Sequence, residues 1–235
     1  MFDLIYANGD SYSAVSEKFP VYSDHLDDIG KHVINHAMAG CTNDRIFRKT
    51  LEDLISIEHT NTLVILGFSF LSRVEVWYHG NNNNILKNIE VRNNEDFPIN
   101  EKLSDKLKLS TADSIGYNDL NDPQWKSTLL YTNINKRVID FLVQLESLIG
   151  WLENRNIDYL IFSAADNYDW KDCNWDFLKS MNVYKSLISN NRILGNFFNF
   201  SVKKFCTDRN IKTSQTNHMF GDGHLEFSKF LKTHV

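Results

Sequence analysis

A serine acts as a nucleophile only when a base takes its proton and a third group holds that base in place. Two stretches at opposite ends of this 235-residue chain carry those residue types: Gly9-Asp10-Ser11-Tyr12-Ser13, which follows the apolar run Leu4-Ile5-Tyr6-Ala7, and Gly221-Asp222-Gly223-His224 close to the C-terminus. A short strand ending in Gly-Asp-Ser can expose the serine hydroxyl on the turn into a first helix. The chemistry this suggests is acyl transfer, with Ser11 attacking, His224 taking its proton, and Asp222 orienting the imidazole. Read alone, Ser11 is equally a helix N-cap, and Asp-Gly-His is an ordinary turn. Their co-occurrence in the order serine, aspartate, histidine gives the pair its meaning.

The elements between must bring these two ends together. Asp3 to Ala7 reads as a buried strand stopped by Asn-Gly. Ser11 to about Asp28 is polar and irregular, broken by Pro20. His32 to Ala37 reads as a second strand running into a turn at Gly40. Thr42 and Asn43 are good N-cap residues for a helix whose Ile46, Phe47, Thr50, Leu51, Leu54 and Ile55 recur at helical spacing. Thr62 to Leu66 is uniformly apolar, as expected of a strand covered on both faces. From about residue 70 to 130 the periodicity is lost, and the segment reads as an insertion with its own hairpin or short helices. Ile134 to Leu152 is the clearest amphipathic helix, and Asp158 to Ser163 the strand after it. One more helix is expected across Leu194 to Cys206, weakened at Gly195, and a last from about Leu225 to Thr233. The expectation is one domain over residues 1–235, an α/β three-layer sandwich with a parallel, flavodoxin-like sheet of four or five strands. Gly9 to Ser11, Gly40 to Asn43, Gly67 to Ser69 and Ala164 to Trp170 would then gather outside the carboxyl ends of the strands.

Bulk properties narrow the function. With 42% hydrophobic and 13% aromatic residues the composition is that of a folded globular chain. A net charge of -5 without a basic stripe argues against nucleic acid as a partner. Cys41, Cys173 and Cys206 are odd in number and far apart, so they read as reduced, packed thiols. No run approaches the ~20 apolar residues of a membrane span, and the first strand starts too early for a signal peptide. The expected location is the cytoplasm, with no membrane partner. His218 can be grouped with Asp222 and His224, but no suitable fourth ligand accompanies them, so neither a metal nor a cofactor is expected.

Taken together, these blocks resemble the SGNH hydrolase superfamily, also called GDSL esterases. Gly9-Asp10-Ser11-Tyr12-Ser13 is similar to its first block, Gly40 in Ala39-Gly40-Cys41-Thr42-Asn43 to its second, and Asp222 with His224 to its last, although that pair is one residue closer than in most members. The resemblance implies Ser11, Asp222 and His224 as the triad, with the Ser11 and Gly40 amides holding the oxyanion. Where the family has Gly-x-Asn, this chain has Gly67-Phe68-Ser69, so Ser69 would replace a side-chain donor whose loss typically costs about 10²–10³ in rate. Asp10, Asn43 and Arg73 are candidates for support around the site. Gly67, Ser69, Arg73 and Glu75, with Gly-Cys-Thr-Asn-Asp-Arg-Ile after the second strand, also resemble a bacteriophage branch. Arg73 and Glu75 read equally well as a plain ion pair.

Trp170 and Trp175, with Tyr168 and Phe177, could offer flat faces to a sugar ring, as could Trp77, Tyr78 and Trp125. Equally, they could be core. The reading is a serine esterase acting on a small-molecule or polysaccharide ester, with O-acetyl groups on a carbohydrate as the expected substrate. Its rivals are a non-catalytic structural or carbohydrate-binding component of a phage particle, with virion proteins as partners, and an acyltransferase using the same triad.

Overall fold

A computed structural model describes residues 1–57, 61–71, 76–78, 108–110, 134–164, 166, 173–196, 198–215 and 217–235. Strands β1 (Phe2–Gly9), β2 (Gly30–Asn35) and β3 (Thr62–Phe68) are joined by a fourth long strand (Asp158–Ser163) in one parallel sheet. Between β3 and that strand lies an antiparallel pair, β4 (Val76–Tyr78) with β5 (Lys108–Ser110), so the long strand is β6. The parallel order is β2-β1-β3-β6, which matches the flavodoxin-like expectation. Beyond β6 a fifth strand is reduced to a single parallel bridge between Ile161 and Ile193. The short β4/β5 pair falls inside the expected insertion, most of which lies outside the described residues.

Helices cover both faces, and the sheet is therefore the middle of three layers. On one side α1 (Asn43–Ser56) and α2 (Ile134–Glu153) pack Ile46, Phe47, Leu54, Phe141, Leu145 and Leu148 over Tyr6, Val64 and Leu66. On the other, Phe205, Phe227 and Leu231 pack over Ile5, Leu63, Ile65 and Phe162. Every residue of β3 is buried, which explains its unbroken apolar sequence. Polar ties also anchor α1: the Tyr6 hydroxyl donates to Asp53 at 2.8 Å, and Lys49 Nζ and His36 Nδ1 each lie 2.5 Å from the same carboxylate. Among the described residues no helix is long and apolar enough to cross a membrane.

Parallel register aligns the strand ends. Gly9 stands beside Gly67, and Phe68 beside Ser163, so the loops after β1, β3 and β6 leave one edge together. Gly67 is required there because a Cβ would lie 2.8 Å from both the Phe162 ring and Ser13 Oγ.

The C-terminal third departs from expectation in three places. Helices α3 (Trp175–Ser180) and α4 (Asn182–Ser189) occupy a stretch for which no element was expected. The helix expected across Leu194 to Cys206 is split into a 3₁₀ turn (Leu194–Asn196) and α5 (Val202–Asp208). Gly195 adopts a left-handed φ of 57°, and Ser201 caps a new start by accepting a hydrogen bond from the Lys204 N–H. The last helix, α6 (Gly221–Lys232), begins four residues sooner than its expected start at Leu225. That shift changes the site.

Candidate active site

Ser11 sits on a single turn at the end of β1. The Asp10 carbonyl accepts hydrogen bonds from the Ser13 and Ala14 N–H groups, each at 2.9 Å. The Asp10 side chain is fully buried: Oδ1 accepts from the Tyr12 N–H at 3.0 Å and Oδ2 from the Ser69 hydroxyl at 2.7 Å. Asp10 thus clamps the serine turn from below and ties it to the end of β3. Past this turn the chain is irregular as far as Pro20, as its polar sequence without an apolar stripe suggested. Asn35 holds the loop in place by donating to the Ser13 carbonyl at 2.7 Å and to Ser23 Oγ at 2.9 Å.

The histidine beside Ser11 is His218. Its Nε2 lies 2.7 Å from Ser11 Oγ, inside the reach a general base needs. A small antiparallel loop presents it. Thr213 bridges Met219, the Ser214 N–H donates to the His218 carbonyl at 2.8 Å, and the His218 N–H donates to Ser214 Oγ at 3.1 Å. Asn217 takes the left-handed conformation at φ 63°, a turn geometry asparagine tolerates. The imidazole also lies flat against Tyr12, with ring centroids 4.6 Å apart and planes inclined by 15°.

Among the described residues neither Asp222 nor His224, the expected triad partners, hydrogen-bonds Ser11. Both belong to the first turn of α6, two positions apart, so their side chains leave the helix about 200° from one another. Asp222 is exposed, whereas His224 is only 4% exposed and rests against the Phe19 ring at 5.7 Å. Among the described residues its Nδ1 has no hydrogen-bond partner. Burial, with the charges of His25 and His218 behind it, pushes the His224 imidazole down to about 4 from an ordinary 6.5. It is a neutral core histidine at pH 7.

That burial has a consequence for stability. Between the two values the unfolded chain binds a proton that the folded chain refuses, so folding is favoured as pH rises. The His224 contribution is fully present above about pH 6.5 and is lost as the pH falls toward 4, a change on the order of 3 kcal/mol. Urea unfolding at pH 7 and pH 4.5 checks it: His224→Leu is expected to narrow the gap between the two midpoints.

Ser69, expected as the third oxyanion donor, directs both of its donors to neighbouring side chains. Its hydroxyl proton is directed to Asp10, and its backbone N–H donates to Asn43 Oδ1 at 2.7 Å. Asn43 returns the bond, Nδ2 to the Ser69 carbonyl at 3.2 Å, so its amide is also committed away from the reacting centre. Both groups are buried, and buried polar groups take partners. The amides of Ser11 and Gly40 differ. Among the described residues neither N–H has a hydrogen-bond partner. Gly40 is placed beside β1 by its own loop, in which the Met38 N–H and the Cys41 thiol both donate to the Gly9 carbonyl, at 3.0 and 3.1 Å. Its φ of 77° is a conformation glycine favours.

Trp175 is half-buried, edge-on to Phe198 at 5.5 Å, and packs on the core of the α2 side rather than presenting a free face. Arg73, Glu75 and Trp170 lie outside the described residues, as do Tyr168 and Trp125. Cys41, Cys173 and Cys206 are free and buried.

No protein-family model matches this chain, and no curated protein matches it. A crystal structure described as a member of the lipolytic protein G-D-S-L family from Veillonella parvula DSM 2008 aligns over 97% of this chain and 96% of its own, with a TM-score of 0.34 and 12% identity. The fold rests on the strand order and the two packed faces of the sheet.

Proposed function

We propose that the protein is a serine esterase in which Ser11 is the nucleophile and His218 the general base. The observation that carries this reading is the 2.7 Å contact between Ser11 Oγ and His218 Nε2 at the carboxyl edge of the parallel sheet. In the proposed reaction His218 Nε2 takes the Ser11 proton as Oγ attacks the ester carbonyl. The developing oxyanion is held by the Ser11 and Gly40 amides, which have no hydrogen-bond partner among the described residues. His218 then gives its proton to the leaving alcohol, and a water molecule, activated by the same imidazole, releases the acid from the acyl-enzyme. The resemblance of Gly9-Asp10-Ser11 and Gly40 to the SGNH blocks points the same way.

For the substrate, we infer an O-acetylated carbohydrate. Beside Asn43, which is bonded to Ser69, lies a cavity of about 120 Å³ lined by Asp44, Leu71, Arg137, Asp140, Phe141 and Gln144, with neither Ser11 nor His218 in its wall. Amide, carboxylate and guanidinium groups suit hydroxylated ligands better than an acyl chain. Turnover of p-nitrophenyl acetate by the parent, and its loss in Ser11→Ala with an unchanged circular dichroism spectrum, tests the reading; equal turnover in the variant would refute it. The commitment of both Ser69 donors favours a second reading, a carbohydrate-binding protein of the same fold. That protein would bind acetylated oligosaccharide and leave the ester intact.

A further inference from the structure

We infer that Phe220 is the sugar-contacting residue of the Ser11–His218 site, its ring receiving the apolar C–H face of the pyranose that carries the scissile acetyl group. This rests on the proposed esterase reading and adds to it where the sugar lies. The segment that presents His218 also sets the direction of Phe220. It is extended, since Met219 bridges Thr213 and Phe220 has φ -91° and ψ 176°. Alternate side chains of an extended segment leave on the same side. Met219 accordingly turns into the core, only 1% exposed, whereas His218 and Phe220 turn the other way, and His218 reaches Ser11 Oγ. Residues so related stand about 7 Å apart, a distance that a pyranose ring bonded to the scissile oxygen covers.

Phe220 is a large apolar ring left 41% exposed at the start of α6. It is braced there. Phe19, on the loop that follows Ser11, meets it edge-on with ring centroids 6.3 Å apart, and Phe19 in turn rests on the His224 ring at 5.7 Å. The loops that carry the nucleophile and its histidine are therefore joined by an aromatic pair. Two positions beyond Phe220 stands Asp222, which is exposed and whose carboxylate has no hydrogen-bond partner among the described residues. A partly exposed ring bordered by an uncommitted carboxylate matches a ligand with one apolar face and hydroxyls around its edge, which an acyl chain lacks.

Three variants and two esters test this. On methyl tetra-O-acetylglucopyranoside, Phe220→Ala is expected to raise KM about 10-fold. The preference for this sugar ester over ethyl acetate, read as the ratio of their kcat/KM values, is expected to fall by about the same factor. Phe220→Leu keeps the apolar bulk without the flat ring and carries the same expectation, so the test survives if the alanine variant does not fold. Phe220→Trp keeps a flat ring, and its ratio is expected to stay within about threefold of the parent. The parent's ratio in a folded Phe220→Ala or Phe220→Leu, or a parent that hydrolyses ethyl acetate and leaves the sugar ester intact, would overturn the inference. A parent that hydrolyses neither ester would overturn the esterase reading instead. Calorimetric titration with the same sugar ester then decides the subsite by itself: binding about 10-fold weaker in Phe220→Ala upholds the aromatic contact, and equal binding, or none, overturns it as well.

Discussion

Replacing His218 with alanine is expected to lower kcat/KM for p-nitrophenyl acetate by about 10⁴-fold or more, while His224→Leu stays within about one order of magnitude of the parent. The contrast follows from where the two imidazoles sit. His218 Nε2 touches the Ser11 hydroxyl, so its removal leaves a serine with no base to take its proton. His224 is sealed between α6 and Phe19, and it reaches His218 only through charge. At neutral pH His224 carries no charge, so even that influence is absent. The reverse result, a silent His218→Ala and an inactive but folded His224→Leu, would restore the histidine that the Asp-Gly-His motif first suggested. Both kinetics and thermal melts are needed, because His224 is core and its loss also affects stability.

A second large effect is expected from Asp10→Ala. This carboxylate accepts from the Tyr12 N–H and the Ser69 hydroxyl at full burial, and its removal leaves both without their acceptor. Orphaned buried donors cost on the order of 1–3 kcal/mol each, so a loss of about 2–4 kcal/mol is expected, a fall in Tm of roughly 5–15 °C for a chain of this size. The turn that presents Ser11 loosens at the same time, so kcat falls as well. Asp10→Asn is expected to recover part of both losses, since its carbonyl can still accept from the Tyr12 N–H and the Ser69 hydroxyl can rotate to accept from its amide. A melting temperature within about 2 °C of the parent in Asp10→Ala would show that the clamp does not hold the turn.

The regular elements were legible where the sequence was one-sided or uniformly apolar. Thr62 to Leu66 reads as a strand buried on both faces, and Ile134 to Leu152 shows its inward stripe plainly; the observed elements run to Phe68 and Glu153. The serine turn was legible too, since Gly-Asp-Ser after an apolar run needs no distant contact to form. What misled was the end of the chain. Two glycines around Asp222 looked like a turn, yet His224, Phe227, Ser228 and Leu231 already stand at helical spacing, and all four are buried. Extending that stripe backward places His224 on the core face and Asp222 in solvent.

The signal for His218 was weaker and of another kind. Ser214, Asn217 and the apolar Met219 form a tight loop that anchors itself in the core, a turn chemistry that is clear only once the bridge from Thr213 to Met219 is seen. The partners of Ser69 were hidden for a related reason. Sequence places it at the right strand end, but only the packed structure shows Asp10 and Asn43 engaging both of its donors.

The central claim is that Ser11 is activated by His218. It is tested most directly by treating the protein with a fluorophosphonate and locating the adduct by mass spectrometry. One adduct is expected, on Ser11, formed rapidly in the parent and in His224→Leu and abolished in His218→Ala. An unlabelled Ser11 in the folded parent, or labelling that survives the loss of His218, would contradict it.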